Sequence, residues 1–305
     1  MMRFGVATRL IGRGAPAGLP RGAHLSRGLV WLREVLEYLM ARRISFYRIP
    51  LVLAGNNPSD IRRALGESGA LIAELRTVLV GNMRLTAHIP PGLGPASERS
   101  ESLERWAGMI SCQAQLLVAL GTPEAVVVSH MGGAAGGRVV ALERAARHIL
   151  RLPGELRAWL AIEVDEDSYS LHELLWLHAA CGVSVVFDSL HHQINNPDRI
   201  PLDMALRLAC ATWPHGIRPK IHLSSQRTEA HVLPGARGAA LRVVPPAIGQ
   251  HADFINPFEA SRLIEASAGL APFDIMIEAK AGDLALLRLR EDLRRYIPEA
   301  TNALG

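Results

Sequence analysis

The 305-residue chain is 49% hydrophobic and 5% aromatic, and no apolar run is long enough to cross a bilayer, which excludes a helical membrane protein. Its three cysteines, Cys112, Cys181 and Cys210, are widely spaced, which excludes a disulfide framework and a thiolate zinc knuckle and leads us to expect a reducing, cytoplasmic setting. A formal charge of +4 and a pI near 9.3 suit a polyanionic partner without requiring one.

The start, MMRFGVATRLIGRGAPAG, has no apolar segment before a small-residue cleavage site, so no secretory leader is expected. Arginines at positions 3, 9, 13, 21, 27 and 33 precede or adjoin the first acid, Glu34. Such a segment is either a solvated basic loop or one that tracks phosphates.

Short β-branched runs then recur along the chain: FGVAT (4–8), ISFYRI (44–49), RLTAH (84–88), AVVVSH (125–130), LAIEV (160–164), VSVVFD (183–188), PKIHLS (219–224) and FDIMIEA (273–279). Between them lie stretches with the three-and-four apolar spacing that buries one helix face, among them LVWLREVLEYLMARR, SLERWAGMISCQAQLLVAL, RVVALERAARHILRL and SLHELLWLHAAC. Gly182 and Gly121-Thr122-Pro123 read as helix stops, Ser170 and Pro201 as helix starts. Eight strands alternating with helices predict an α/β fold, a closed (β/α)8 TIM barrel in one domain over 1–305. The longest irregular stretch, 226–250, is rich in Gly, Pro and Arg and is expected to be a functional loop after strand seven.

In such a barrel the reacting groups stand where the strands end. Strands three to eight close on His88, His130, Glu163, Asp188, His222 and Glu278; His191 follows Asp188 by three and His251 lies in the loop after strand seven. Any one of these is commonly a cap or a packed imidazole. Together they would be severely destabilising unless cations neutralised them. Mixed imidazole and carboxylate donors suit Mn²⁺, Fe²⁺ or Zn²⁺ better than Mg²⁺, and about eight donors suffice for two or three divalent ions. His24, His148, His172, His178, His215 and His231 fall away from strand ends and are expected on the surface or in packing, while His192 stays ambiguous. Only Lys220 and Lys280 among 33 basic residues are lysines, and Lys220 shares a strand face with His222.

The segments ISFYRI, VSHMGG, IEVDEDSYS, VVFDSLHH, PKIHLSSQ, HADFI and IMIEAK resemble, in order and over almost the whole chain, the UV damage endonuclease family. The resemblance implies a metal-dependent hydrolase that nicks double-stranded DNA on the 5′ side of a lesion, generally with manganese. It assigns metal ligation to His88, His130, Glu163, Asp188, His191, His222, His251 and Glu278, and a carboxylated side chain to Lys220. Lys220, Glu163 and Glu278 are then the expected catalytic residues, and Arg9, Arg13, Arg48 and Arg227 the expected DNA contacts. No membrane association and no obligate protein partner are expected.

Several positions depart from the family pattern. Val6 stands where a tyrosine is usual, HIPPGLGPAS lacks the glutamine and aromatic that follow the strand-three histidine, AGNNPSD offers Asn56 or Asn57 in place of a histidine, and Val164 replaces an asparagine. A divergent member with altered lesion specificity and an incomplete third metal site is expected. Two other classes share such a barrel face: a metal-dependent sugar isomerase or epimerase, and a binding protein without activity. Abasic-site cleavage is a further variant of the nuclease reading.

Overall fold

The structure is a computed structural model that describes residues 2–13, 24–79, 83–122, 124–233 and 241–303. Arg21, Pro123 and residues 234–240 of the expected loop lie outside the described residues. Eight parallel strands close into a barrel: β1 (Phe4–Val6), β2 (Phe46–Arg48), β3 (Arg84–His88), β4 (Val127–Ser129), β5 (Leu160–Glu163), β6 (Ser184–Asp188), β7 (Lys220–Leu223) and, after a hairpin of β8 (His231–Leu233) and β9 (Arg242–Val244), β10 (Asp274–Ile277). β1 pairs with both β2 and β10, which closes the ring.

Helices α1 (Leu25–Ala41), α2 (Pro58–Glu67), α3 (Gly69–Leu79), α4 (Ser100–Leu120), α5 (Arg138–Arg151), α6 (Gly154–Arg157), α7 (Leu171–Cys181), α8 (Ser189–Ile194), α9 (Leu202–Ala211), α10 (Pro257–Ala266) and α11 (Asp283–Tyr296) connect the strands. The stops and starts read from the sequence are present. Gly121 and Gly182 end α4 and α7 at φ 67° and 73°, and Ser170 and Glu173 form a reciprocal capping box at the start of α7.

Period-two alternation splits the strands into two layers. Val127, Ile162, Val185 and Phe187 face outward into the main core shared with the helices. Val126, Val128, Ala161 and Val186 face inward with Trp213 in a separate cluster. Gly5 is needed where it stands, because a Cβ there would lie 2.5 Å from the Phe46 ring. At the N-terminal end of the barrel Arg84 and Asp274, both fully buried, form an ion pair at 2.8 Å.

The stretch expected to be irregular, 226–250, differs from that reading. β8 and β9 pair antiparallel within it, since Val232 and Val243 supply the β-branched residues that a short ladder favours.

Candidate metal centre

Where β3 to β7 and β10 reach the mouth of the barrel they deliver His88, His130, Glu163, Asp188, His222 and Glu278. Asp188, the last residue of β6, also caps α8: its Oδ1 accepts from the N–H groups of Leu190 at 2.7 Å and His191 at 2.9 Å. One helical turn thereby brings His191 back over the barrel. The other Asp188 oxygen accepts from the Ser224 hydroxyl at 2.9 Å. His88 donates through Nδ1 to the Ile89 carbonyl at 2.7 Å, which leaves Nε2 facing Glu163 at 2.7 Å. His191 likewise meets the Val164 carbonyl through Nδ1 at 2.9 Å. Backbone carbonyls on one ring nitrogen fix the tautomer and aim the other nitrogen at the centre.

Glu163 joins the cluster. One of its oxygens lies 2.7 Å from His88 Nε2 and 3.5 Å from His130 Nε2; the other lies 2.6 Å from His222 Nδ1. His222 Nδ1 is also 3.3 Å from Glu278, and Glu278 pairs with Arg48. Two sets of potential ligands result, His88–His130–Glu163 and Glu163–Asp188–His222–Glu278, with all donor atoms in each set within 4.8 Å of one another. Glu163 belongs to both. His191 and His251 stand beside them, their ring centroids 5.8 Å apart, with His251 Nδ1 3.9 Å from Glu278.

Electrostatics favour a cation. Burial raises the Glu163 carboxyl, yet His222 and His130 outweigh it and hold the group well below the usual carboxylate range. Burial also acts to raise Glu278, and Arg48 and His222 reverse it. Burial lowers the His88 imidazole to about 4, so it stays neutral and offers a lone pair. Burial lowers His191 too, but the Asp188 and Glu163 carboxylates raise it to about 10. Among the described residues His222 Nε2 is buried without a hydrogen-bond partner. Ionised buried acids among imidazoles, with a buried ring nitrogen unpartnered, fit divalent metal ions.

The centre opens into a cavity of about 700 Å³ lined by Arg48, His88, His130, His191, His251 and Glu278 among others. Lys220 is not on its wall. It lies one inward-facing layer below His222, fully buried, with Nζ 3.3 Å from Thr86 Oγ1; burial holds its amine well below the ordinary lysine range. Of the four arginines expected to contact DNA, Arg48 reaches the centre. Arg9 donates to the Lys280 carbonyl at 3.3 Å, Arg13 pairs with Glu34, and Arg227 pairs with Asp253 at 3.1 Å, so these three brace the loops of the same barrel face.

Glu166 is a residue the strand-end reading missed: it lines the cavity and its carboxylate lies 3.3 Å from His191 Nε2. Its signal in the sequence is the acid-rich VDED that follows Glu163. Asn57, one of the two asparagines offered in place of the family's histidine, caps α2, accepting from Ser59 N at 2.9 Å. His192 proves to be a packing residue, buried 5.1 Å from the Phe187 ring with Nε2 3.0 Å from the Ile200 carbonyl. His148 and His178 bond backbone carbonyls away from the centre, at 2.7 and 2.9 Å.

Comparison with known proteins bears on the fold and the family. A UV DNA damage endonuclease of Bacillus cereus (strain G9842) is 29% identical over 271 residues, covering 85% of this chain and 78% of the relative. The solved structure of SacUVDE superposes with a TM-score of 0.75 at 24% identity, covering 97% of this chain and 99% of that one. The barrel is also shared with endonuclease IV from Thermus thermophilus, at a TM-score of 0.59 and 16% identity over 96% of this chain and 99% of the other. Residues 27–303 match the profile of UV-endonuclease UvdE, and the chain belongs to that family.

Proposed function

We propose that this protein is a metal-dependent DNA-repair endonuclease that hydrolyses a phosphodiester on the 5′ side of damage in double-stranded DNA, working as one barrel domain in the cytoplasm. The observation that carries this reading is the pair of ligand sets sharing Glu163, in a chain of the UvdE family. His88, His130 and Glu163 would hold one divalent ion, and Glu163, Asp188, His222 and Glu278 a second. His191 and His251, with Glu166 beside them, would hold a third. Manganese is the favoured metal, with zinc and iron also compatible with these donors.

When bound, such ions supply an activated water and neutralise charge developing on the phosphate. The chain's own groups do the rest. Glu163 and Glu278 stay ionised and set the spacing of the donors, Ser224 fixes Asp188, and the Ile89 and Val164 carbonyls orient two imidazoles. Arg48 sits on the cavity wall, placed to take a phosphate oxygen next to the centre. Arg9, Arg13 and Arg227 would shape the rim that flanking phosphates approach. Lys220, carboxylated on Nζ, would add negative charge one layer beneath His222. Family membership favours this reading over a sugar isomerase or epimerase.

The test combines metal analysis with a nicking assay in added Mn²⁺, on duplexes carrying a photoproduct, an abasic site or no lesion. More than one equivalent of metal and cleavage 5′ to damage are expected, and Glu163→Gln should lose both. A preparation that holds no metal and leaves every duplex intact would overturn the reading. Cleavage confined to the abasic duplex would reassign the lesion.

A further inference from the structure

The hairpin of β8 and β9 has an unusual surface. Its register opposes Val232 to Val243 and Leu233 to Arg242. Directly opposed residues in an antiparallel pair share a face, as do residues two apart on one strand, so Val232, Val243 and Leu241 lie together on one side. Their exposures are 59%, 66% and 70%. An isolated two-stranded ribbon has no core of its own, and a bare apolar face on one marks an interaction site.

The base of the hairpin is bound to the metal centre. Gln226 and His251 form an antiparallel bridge, Arg227 N donates to the Gln250 carbonyl at 2.7 Å, and Gly249 N donates to Gln226 Oε1 at 2.9 Å. The ribbon therefore rises from the C-terminal face of the barrel, between the end of β7 and the ligand-set neighbour His251. Arg242, on the face opposite the apolar trio, is exposed and has no ion-pair partner among the described residues.

We propose that the β8–β9 hairpin is a DNA-reading wedge, its Val232–Leu241–Val243 face pressing against unstacked bases while Arg242 contacts the phosphate backbone. The inference rests on the endonuclease reading above. Small apolar side chains inserted at a weakened base step hold the duplex open, and damage lowers the energy needed to part that step. A second copy of the chain is a poorer occupant. Three side chains on a three-residue ladder fall far short of the roughly 800 Å² per partner that a stable interface buries.

The experiment compares the wild-type protein with the triple variant Val232→Ser/Leu241→Ser/Val243→Ser and with Val243→Ser alone, which guards against misfolding of the triple. Duplexes carry 2-aminopurine beside a photoproduct or an abasic site, and binding is read by anisotropy without added metal. The wild type should raise the 2-aminopurine fluorescence. The triple variant should bind the damaged duplex about tenfold or more weakly and lose the fluorescence rise, with Val243→Ser intermediate and with melting curve and bound metal unchanged. Arg242→Ser should weaken damaged and intact duplexes alike and lower the salt dependence of binding by about one unit. Wild-type binding and fluorescence in both serine variants would overturn the wedge while leaving a nicking enzyme intact. A wild-type dimer that the triple variant dissolves, with DNA binding untouched, would overturn it in favour of a second copy. A wild-type protein that neither binds nor nicks any duplex would instead sink the endonuclease reading, and the wedge with it.

Discussion

Glu163 divides its two oxygens between His88 and His222, so one carboxylate holds both ligand sets together. Glu163→Gln should therefore weaken metal binding by more than the roughly 10–100-fold typical of a change just outside the ligands, as measured by titration with Mn²⁺ followed by electron paramagnetic resonance. Lys220 calls for a different outcome. Its amine is buried with a single hydroxyl beside it, and burial disfavours its charge, so an apolar side chain of similar length fits the same slot. Lys220→Met should keep or raise the melting temperature while nicking falls roughly 10–100-fold; unchanged nicking would remove Lys220 from the chemistry. The strand-end residues were legible in the sequence because period-two alternation turns the last inward residue of each strand toward the mouth. Glu166 and the Arg48–Glu278 pair were not, because each depends on where a loop or a neighbouring strand carries a long side chain.

At the scale of elements, the eight barrel strands and most long helices could be read from apolar spacing, and their ends from glycine, serine and proline. The hairpin could not. Three-residue strands separated by a Pro- and Gly-rich stretch carry too little pattern to distinguish a ribbon from a loop. The octapeptide VVFDSLHH shows how a cap and a candidate ligand coincide: the Asp188 side chain starts α8 with one oxygen and accepts from the Ser224 hydroxyl beside the candidate centre with the other. The loop between β5 and α7 works in a similar way. Asp165 Oδ1 accepts from the N–H groups of Asp167 and Tyr169, both at 3.1 Å, and from Ser168, winding the chain so that Glu166 projects over His191. Asp165→Ala removes an acceptor shared by three donors and should destabilise the fold by about 1–3 kcal/mol in urea unfolding. It should also loosen Glu166, lowering metal occupancy more than Ser170→Ala, which removes only the cap hydroxyl of α7 and is worth about 1 kcal/mol.

The whole molecule is held at the opposite end from its metal centre. Asp274, at the start of β10, accepts from Arg3 beside β1, Arg84 on β3 and Arg218 before β7, so one buried carboxylate ties four parts of the barrel floor together. Burial raises its carboxyl, but the Arg3 and Arg84 guanidiniums more than reverse this and hold it below the ordinary aspartate range; burial in turn lowers Arg84, which needs Asp274 as its partner. A carboxyl whose folded-state pKa lies below its unfolded value, about 3.9, stabilises the fold fully above that value and loses the contribution progressively as pH falls from there through the lower folded-state pKa. Asp274→Asn strands Arg84 and should therefore cost about 3–5 kcal/mol at pH 7. The gap between wild type and variant should narrow below about pH 4, because acid protonates Asp274 in the wild type and leaves asparagine unchanged. Urea unfolding at pH 7 and at lower pH measures both terms, and acid effects on the metal centre cancel in the difference between the two proteins. Equal destabilisation at every pH would mean that the floor is held by shape and hydrogen bonds and that its charge contributes nothing.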